Sequence, residues 1–141
     1  MLFMVGIEIP ENESEAFGII VPVFEKSGYG CVSAADERKD ILKQAKFAIL
    51  EMAEELINDG LLTETLNEGY KNYSAEYPDF TEWVAFEVPV ETLGGKKERI
   101  NITLSKPFLA RVDSFVELHG EYKDRSDFLA KAADSLIQHT H

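Results

Sequence analysis

Three polar side chains of this 141-residue chain follow one another at every second position: Arg99, Asn101 and Thr103. In a β-strand, residues at this spacing point to the same face. In the major groove of DNA, Arg pairs with guanine edges, Asn pairs with adenine, and Thr packs against the thymine methyl group. The spacing therefore predicts a strand that reads base pairs. Lys97, from the basic pair just ahead of this strand, is a further candidate DNA contact.

The other face of this predicted strand, residues 98–104, carries Ile100, Ile102 and Leu104. A lone strand can neither satisfy its backbone hydrogen-bonding groups nor bury an apolar face. No hairpin partner adjoins it in the sequence, so we expect it to pair with the same strand of a second copy. Such a homodimer presents the polar side chains twice on one face of a two-stranded ribbon.

Two helical patterns follow the strand and continue almost to the C-terminus. Ser105 can cap the first helix, and Asp124 or Ser126 can cap the second. Each helix carries an apolar stripe that has too few partners within one chain. The predicted dimer core therefore combines residues of the strand and of both helices: Ile100, Ile102, Leu104, Val112, Phe115, Phe128 and Leu129.

The two parts of the chain differ in charge. A net charge of −12 argues against contact with the phosphate backbone of nucleic acid, which requires Lys and Arg. However, residues 1–95 hold 19 Asp and Glu against 6 Lys and Arg, whereas residues 96–141 hold 7 against 8. All the excess acid therefore lies in the N-terminal part. This asymmetry indicates one region for nucleic acid and another for a basic partner, although an acidic surface can also serve solubility alone.

The N-terminal part is predicted to form a small α+β layer, in which one long helix packs on an antiparallel sheet. Asp36 can cap this helix, whose apolar residues recur at helical spacing until residues 58–60 end it. A short helix is expected at residues 65–73. Strands are expected where β-branched and aromatic residues lie between turn residues: 3–9, 16–24, 31–34 and 81–90.

An aromatic-rich run crosses the less regular stretch and the last of these strands. We favour packing between helix and sheet for it, with a partner-binding surface as the alternative. The run comprises Tyr70, Tyr73, Tyr77, Phe80, Trp83 and Phe86.

Cysteine usage and hydropathy indicate the cellular compartment of the protein. Cys31 is the single cysteine, which excludes a disulfide framework and a zinc site built on several thiolates, and it is expected to be a small buried hydrophobe. No apolar run approaches the roughly 18 residues of a membrane span. Residues 1–5 lack the basic start and cleavage site of a signal peptide. We therefore expect a cytoplasmic protein without membrane contact.

Residues 94–97, Gly-Gly-Lys-Lys, form the clearest boundary in the sequence. Two flexible residues followed by the first basic pair are typical of a linker. We therefore expect a domain at residues 1–93, a linker at 94–97, and a DNA-binding and dimerisation domain at 98–141.

The C-terminal domain resembles the ribbon-helix-helix fold. Residues 99–107 are similar to the opening strand and cap of that family, and residues 122–129 to its turn into the second helix. The resemblance implies that the strands of a dimer enter the major groove. It also implies a phosphate contact from Arg125, Ser126 and the amides of the second helix, provided that the Asp124 side chain stays on its own cap.

The N-terminal part resembles the HicB antitoxins. A strand pair, then Gly30-Cys31 with small residues leading into a long helix, and a later strand near Trp83 carry this resemblance. It implies a degraded RNase H-like fold without catalytic residues. It also implies that this domain binds and masks HicA, a small basic toxin that cleaves RNA, while the C-terminal domain binds the operator of its own operon.

The toxin-binding carboxylates are not identified by any motif. The irregular segment carries the candidates Glu64, Glu68, Glu76 and Asp79. Their negative charge would steer a basic toxin onto the acidic domain. The sequence does not decide whether an assembly larger than a dimer forms, because the N-terminal sheets have edge strands that can pair again.

Two competing functions differ from this interpretation. A metal-dependent nuclease needs several carboxylates at strand ends, and only Glu8 and Asp36 have secure places, so we do not expect an enzyme. His139 and His141 form a weak metal-binding signal in the tail. The second alternative is a dimeric transcription regulator that senses a small molecule, but no Gly-rich phosphate loop or cofactor signature supports it, and no cofactor is expected.

Overall fold

The computed structural model describes residues 1–61, 63–94 and 97–140. The chain falls into two compact units, Met1–Lys97 and Glu98–His141. Two residues of the predicted linker, Gly95 and Lys96, lie outside the described residues, as does His141.

An antiparallel sheet organises the first unit. Its strands are β1 (Leu2–Glu8), β2 (Phe17–Ile20), β3 (Val32–Ala35) and β4 (Glu82–Glu87). Among the described residues they are arranged in the order β3-β2-β1-β4, so β1 is central between β2 and β4. The predicted small antiparallel sheet with a packing helix is confirmed.

Two predicted strand ends and one predicted helix are wrong. The strand expected at residues 16–24 ends at Ile20, because Pro22 has no N–H for the ladder and Pro22–Ser27 form a 3₁₀ helix instead. In the same way, β4 ends at Glu87, two residues before Pro89, instead of continuing to residue 90. The helix expected at residues 65–73 is a single 3₁₀ turn, Thr63–Leu66, since the positive φ of Gly69 is incompatible with a continuing right-handed helix.

Helix α1, Ile41–Asn58, covers one face of the sheet. It begins after a 3₁₀ turn at Arg38–Asp40, so the predicted cap at Asp36 is wrong: Asp36 lies in a bend ahead of that turn. The predicted end is confirmed, with Gly60 in the left-handed conformation at φ 80°. The helix buries a stripe at helical spacing: Ile41, Ala45, Ala48, Ile49, Ala53 and Leu56.

The main core lies between α1 and the sheet. Phe3, Val5 and Ile7 of β1 face it, and the ring of Phe3 stacks on Phe24 with centroids 5.9 Å apart. Cys31 is buried there, as predicted. Burial, with a further effect of the nearby Glu51 charge, raises the pKa of the Cys31 thiol to about 12, so the thiol stays protonated and unreactive.

The second unit contains helix α2, Lys106–Leu118, and helix α3, Arg125–His139. Ser105 caps α2, since its side chain accepts from the Phe108 amide at 3.3 Å. Asp124 caps α3, where it accepts from the Asp127 amide at 2.8 Å. Of the two predicted caps for the last helix, Asp124 and not Ser126 therefore occupies the position.

Within the part of the chain that the structure describes, no helix combines the length and the apolar content that crossing a membrane requires.

Candidate functional site

The segment ahead of α2 holds the predicted DNA-reading residues. Arg99, Asn101 and Thr103 are all exposed, and so is Lys97. In this single chain, residues 97–105 have no regular secondary structure, and the sheet of the described residues contains only the strands β1 to β4. A ribbon strand at residues 98–104 therefore requires a partner outside the chain.

The apolar side chains of the same segment are also uncovered. Ile100 is 79% exposed and Ile102 is 58% exposed, while Leu104 is half-buried. Exposure of such large hydrophobic side chains to water is unfavourable.

Helices α2 and α3 are joined by an aromatic cluster at their connection. The Phe115 ring lies 3.9 Å from the His119 ring and 5.1 Å from Phe128, between ring centroids. Tyr122, in the connecting turn, packs edge-on against Phe128 at 5.1 Å. These contacts fix the helical hairpin, and the His119 ring is part of this packing.

The hairpin has almost no core of its own. Among the described residues of the second unit, Val112 is the only buried hydrophobic side chain. Of the other predicted dimer-core residues on the helices, Phe115 is 40% exposed, and Phe128 and Leu129 are half-buried. Further large apolar side chains are open to solvent: Phe108, Leu118, Leu136 and Ile137.

Carboxylates surround the start of α3, where a phosphate contact was predicted. Asp127 accepts from the Lys123 amide at 3.0 Å and pairs with Lys131 at 3.1 Å. The backbone hydrogen bond from Lys123 leads these contacts in holding the pKa of Asp127 below its usual range. Asp124 is on its own cap, which satisfies the condition placed on the phosphate contact, and Ser126 is exposed.

Arg125 is tied to a residue that the sequence did not single out. Its Nε lies 3.0 Å from Asp113 Oδ1 and its Nη2 lies 2.9 Å from Oδ2. The hydrogen bond from Arg125 is the main cause that lowers the pKa of Asp113. Because Asp113 lies on α2 and Arg125 on α3, no local spacing in the sequence could have revealed this pair.

Among the four predicted toxin-binding carboxylates, Glu68 differs from Glu64, Glu76 and Asp79, which are exposed. The Glu68 side chain is only 13% exposed and forms ion pairs with Lys26 and, at 3.8 Å, with Lys71. The Tyr73 hydroxyl also donates to it. Partial burial alone would raise its pKa, but these donors and positive charges hold the pKa of Glu68 below its usual range.

The aromatic run divides between packing and exposure. Tyr73 is buried and stacks on Trp83 with centroids 5.9 Å apart, and the Trp83 Nε1–H donates to the Phe80 carbonyl at 2.8 Å. Tyr77 packs against Trp83 at 6.3 Å. These rings lie on the sheet face opposite α1. Packing therefore accounts for most of the run, but it joins an irregular segment to the sheet instead of the predicted helix. Tyr70, at 76% exposure, is the exception.

An open, acidic cleft of about 510 Å³ lies at the turn between β1 and β2. Its lining includes Glu11, Glu13, Glu15 and Glu37, together with Phe17, over whose ring the Arg38 guanidinium lies at 5.2 Å. The described residues contain no group of three or more His, Cys, Asp or Glu side chains that could hold a metal ion.

A family model described as the HicB-like antitoxin of bacterial toxin-antitoxin systems matches residues 3–133. The match spans both units. This chain belongs to the HicB-like antitoxin family. As an antitoxin of this family, it has a toxin as its partner in a toxin-antitoxin system.

Two further HicB proteins and one phage protein are similar to this HicB-like antitoxin. The crystal structure of the Burkholderia pseudomallei antitoxin HicB matches with a TM-score of 0.56 and 25% identity, over 100% of this chain and 99% of that one. The antitoxin HicB3 crystal structure matches with a TM-score of 0.48 and 26% identity, over 97% and 98%. An uncharacterised 14.9 kDa protein from the rep-hol intergenic region of Haemophilus phage HP1 (strain HP1c1) is 38% identical, over 77% of this chain and 81% of its own length.

Proposed function

We propose that this HicB-like antitoxin neutralises an RNA-cleaving toxin of the HicA type by masking the toxin's active surface, and that it represses its own operon. In this proposal residues 1–93 bind the toxin and residues 98–141 form a ribbon-helix-helix dimer on operator DNA. Toxin neutralisation is supported by family membership and charge. Operator binding as a dimer is supported by the incomplete hydrophobic core of the C-terminal unit.

One observation supports the proposed dimer most directly. Val112 is the only buried hydrophobic side chain among the described residues of the second unit. A helical hairpin with a single buried anchor cannot offset the conformational entropy lost on folding. The missing core is supplied by an identical hairpin, because the two copies expose the same stripes. Pairing of residues 98–104 between the copies would bring the exposed Ile100 and Ile102 into this shared core.

The polar face of the ribbon follows from the same pairing. When Ile100, Ile102 and Leu104 turn inward, Arg99, Asn101 and Thr103 turn outward, because side chains alternate along a strand. This face fits the major groove and carries donors and acceptors that distinguish base pairs. Sequence-specific contact to the operator is therefore assigned to these three residues.

Phosphate contacts position the ribbon on the duplex. Lys97 and Ser126 are exposed and available for this purpose. Arg125 uses its Nε and Nη2 on Asp113, which leaves its other N–H donors for a phosphate oxygen while the ion pair holds the guanidinium in place. Its contribution combines anchoring of the hairpin with phosphate binding.

The N-terminal domain is proposed to have a degraded RNase H-like fold without catalytic activity. It acts by covering the active surface of the toxin. Residues 1–95 hold 19 acidic against 6 basic residues, so their field attracts a basic, RNA-binding toxin and speeds association. Glu64, Glu76 and Asp79 are exposed contributors to this field, whereas Glu68 is engaged within the domain.

Copurification tests the proposal. The chain is coexpressed with the protein encoded by the adjacent gene, and the purified material is also titrated with a DNA fragment from upstream of the operon. We expect a stable complex with the neighbouring protein and a retarded DNA band at moderate salt. Absence of the protein complex contradicts the antitoxin activity, and absence of the DNA band contradicts the repressor activity.

A further inference from the structure

Tyr70 is the most exposed large hydrophobic side chain among the described residues of the N-terminal unit, at 76%. It follows Gly69, which has a φ of 71°, and precedes Lys71 in a stretch without regular secondary structure. Single exposed hydrophobic side chains are common on protein surfaces. Tyr70 differs from such residues because side-chain contacts order the turn that carries it.

The Glu68 side chain makes the contacts that order this turn. Its carboxylate pairs with Lys26 in the first 3₁₀ helix and with Lys71 just after Tyr70, and it accepts from the Tyr73 hydroxyl. The Lys71 ammonium also lies 4.8 Å from the centre of the Tyr73 ring. The residues on both sides of Tyr70 are therefore fixed to a buried aromatic side chain and to a neighbouring element.

A second set of contacts fixes the chain beyond Tyr73. Asn72 Oδ1 accepts from the Ser74 amide at 3.0 Å and closes a local turn. The Tyr77 hydroxyl donates to Glu25 at 2.5 Å, which ties the segment again to the 3₁₀ helix Pro22–Ser27. The hydrogen bond to Glu25 is the leading cause that raises the pKa of Tyr77 to about 12, so the hydroxyl remains a donor at neutral pH. The segment is thus held in one conformation without a helix or strand.

Such a turn presents an aromatic ring whose backbone is already ordered before binding. Ordering a loop on binding costs free energy, and a preorganised loop avoids that cost. Rigid Tyr side chains are enriched among the residues that carry most of the binding energy at interfaces. Residues 64–79 carry four carboxylates against the single Lys71, and three of them, Glu64, Glu76 and Asp79, are exposed. The segment stays net acidic when Lys26, which pairs with Glu68, is counted with it.

We infer that Tyr70 is the aromatic anchor of the toxin interface, inserted into an apolar pocket that basic side chains of the toxin surround. Charge complementarity selects this occupant, because an acidic segment favours a basic protein over a second copy of the acidic domain. The inference rests on the proposed toxin neutralisation and adds the residue that carries the binding energy. Glu68 is then a positioning residue, which acts through Tyr70.

The test measures affinity between the full-length chain and the purified protein encoded beside its gene, by isothermal titration calorimetry. Tyr70→Ala should weaken binding on the order of 30-fold, while Tyr70→Phe, which keeps the ring, should bind within about 3-fold of wild type. Val32→Ala is the matched control, because Val32 is 68% exposed on β3 of the same domain and should bind like wild type. Trp83 fluorescence and operator binding should be unchanged in all three variants.

The positioning role of Glu68 is tested by a double-mutant cycle. Glu68→Gln should weaken binding of the chain with Tyr70 present and should have little further effect in the Tyr70→Ala background, because the two changes act on one contact. Additive effects would overturn the positioning role. If the wild-type chain binds and Tyr70→Ala binds equally well, the anchor role of Tyr70 is wrong but the toxin partnership stands. If the wild-type chain does not bind, the toxin partnership is wrong as well.

Discussion

The Trp83 ring lies directly over Gly6, its partner across the β1–β4 register. A Cβ atom at Gly6 would stand 2.6 Å from Cη2 of Trp83 and 2.9 Å from Cγ2 of Ile20. The indole cannot move aside freely, since Tyr73 stacks on it and its N–H donates to the Phe80 carbonyl. Glycine at this position therefore allows the irregular segment to cover the sheet face opposite α1.

Gly6→Ala should lower the free energy of unfolding by about 1–3 kcal/mol, because the added methyl group overpacks this contact. Urea denaturation followed by Trp83 fluorescence measures the change, and the native emission should shift to the red as the indole is displaced. Gly30→Ala is the control, since a Cβ there meets nothing within 4 Å. Equal stability of the two variants would contradict the close packing of Trp83 on Gly6.

Ile102→Asp should convert the protein to a monomer, because it places a charge in the shared core of the ribbon. Light scattering coupled to gel filtration measures the mass. Asn101→Asp adds the same charge one residue earlier, on the opposite face of the predicted strand, and should leave the dimer intact. A dimer that persists in Ile102→Asp would show that residues 98–104 do not form the interface.

Arg99→Ala and Asn101→Ala should each remove about 1–3 kcal/mol of specific binding to the operator, since each loses contacts with a base edge. Gel-shift titrations at fixed salt, with operator and scrambled DNA in parallel, measure the effect. Lys97→Ala should instead weaken both DNAs similarly and reduce the slope of log affinity against log salt by about 1. Undiminished preference of Arg99→Ala and Asn101→Ala for the operator would exclude these residues as base readers.

Glu68→Gln should lower the free energy of unfolding by roughly 1–3 kcal/mol at neutral pH, since it removes the charge that pairs with Lys26 and Lys71 and that accepts from the buried Tyr73 hydroxyl. The folded-state pKa of Glu68 lies below its usual value of 4.5, so the ionised carboxylate stabilises the fold above that pH. This contribution disappears as the pH falls through the folded-state pKa.

The difference in unfolding free energy between wild type and Glu68→Gln should therefore shrink on acidification. Urea titrations at neutral pH and at successively lower pH measure it. Glu64→Gln, at an exposed position of the same segment, should change stability by less than about 0.5 kcal/mol. A difference that stays constant down to the most acidic native conditions would contradict the paired state of the Glu68 carboxylate.

Periodicity predicted most of the secondary structure. The β-branched and aromatic residues of β1 and β4 and the helical spacing from Ile41 to Leu56 identified the sheet and its packing helix. The errors lie where a local backbone property overrides the pattern. Pro22 ends β2 although apolar residues continue beyond it, and the helix begins after a 3₁₀ turn instead of at Asp36.

The contacts between distant residues could not be predicted from the sequence. Glu68 was one of four equivalent carboxylates until the fold brought Lys26 next to it, 42 positions away in the chain. Tyr70 and Tyr73 belong to one aromatic run, but the fold buries Tyr73 against Trp83 and leaves Tyr70 exposed. The same holds for Asp113, which meets Arg125 only because α2 and α3 fold back on each other.

The measurement that tests the central claim most directly is RNA cleavage by the neighbouring gene's product, followed while this chain is titrated in. The account predicts that cleavage falls in proportion to added chain and ceases at a fixed stoichiometric ratio, because each bound antitoxin masks one active surface. It also predicts the same inhibition by Arg99→Ala, which affects only the DNA-binding domain. Cleavage that continues undiminished in excess chain would contradict the account.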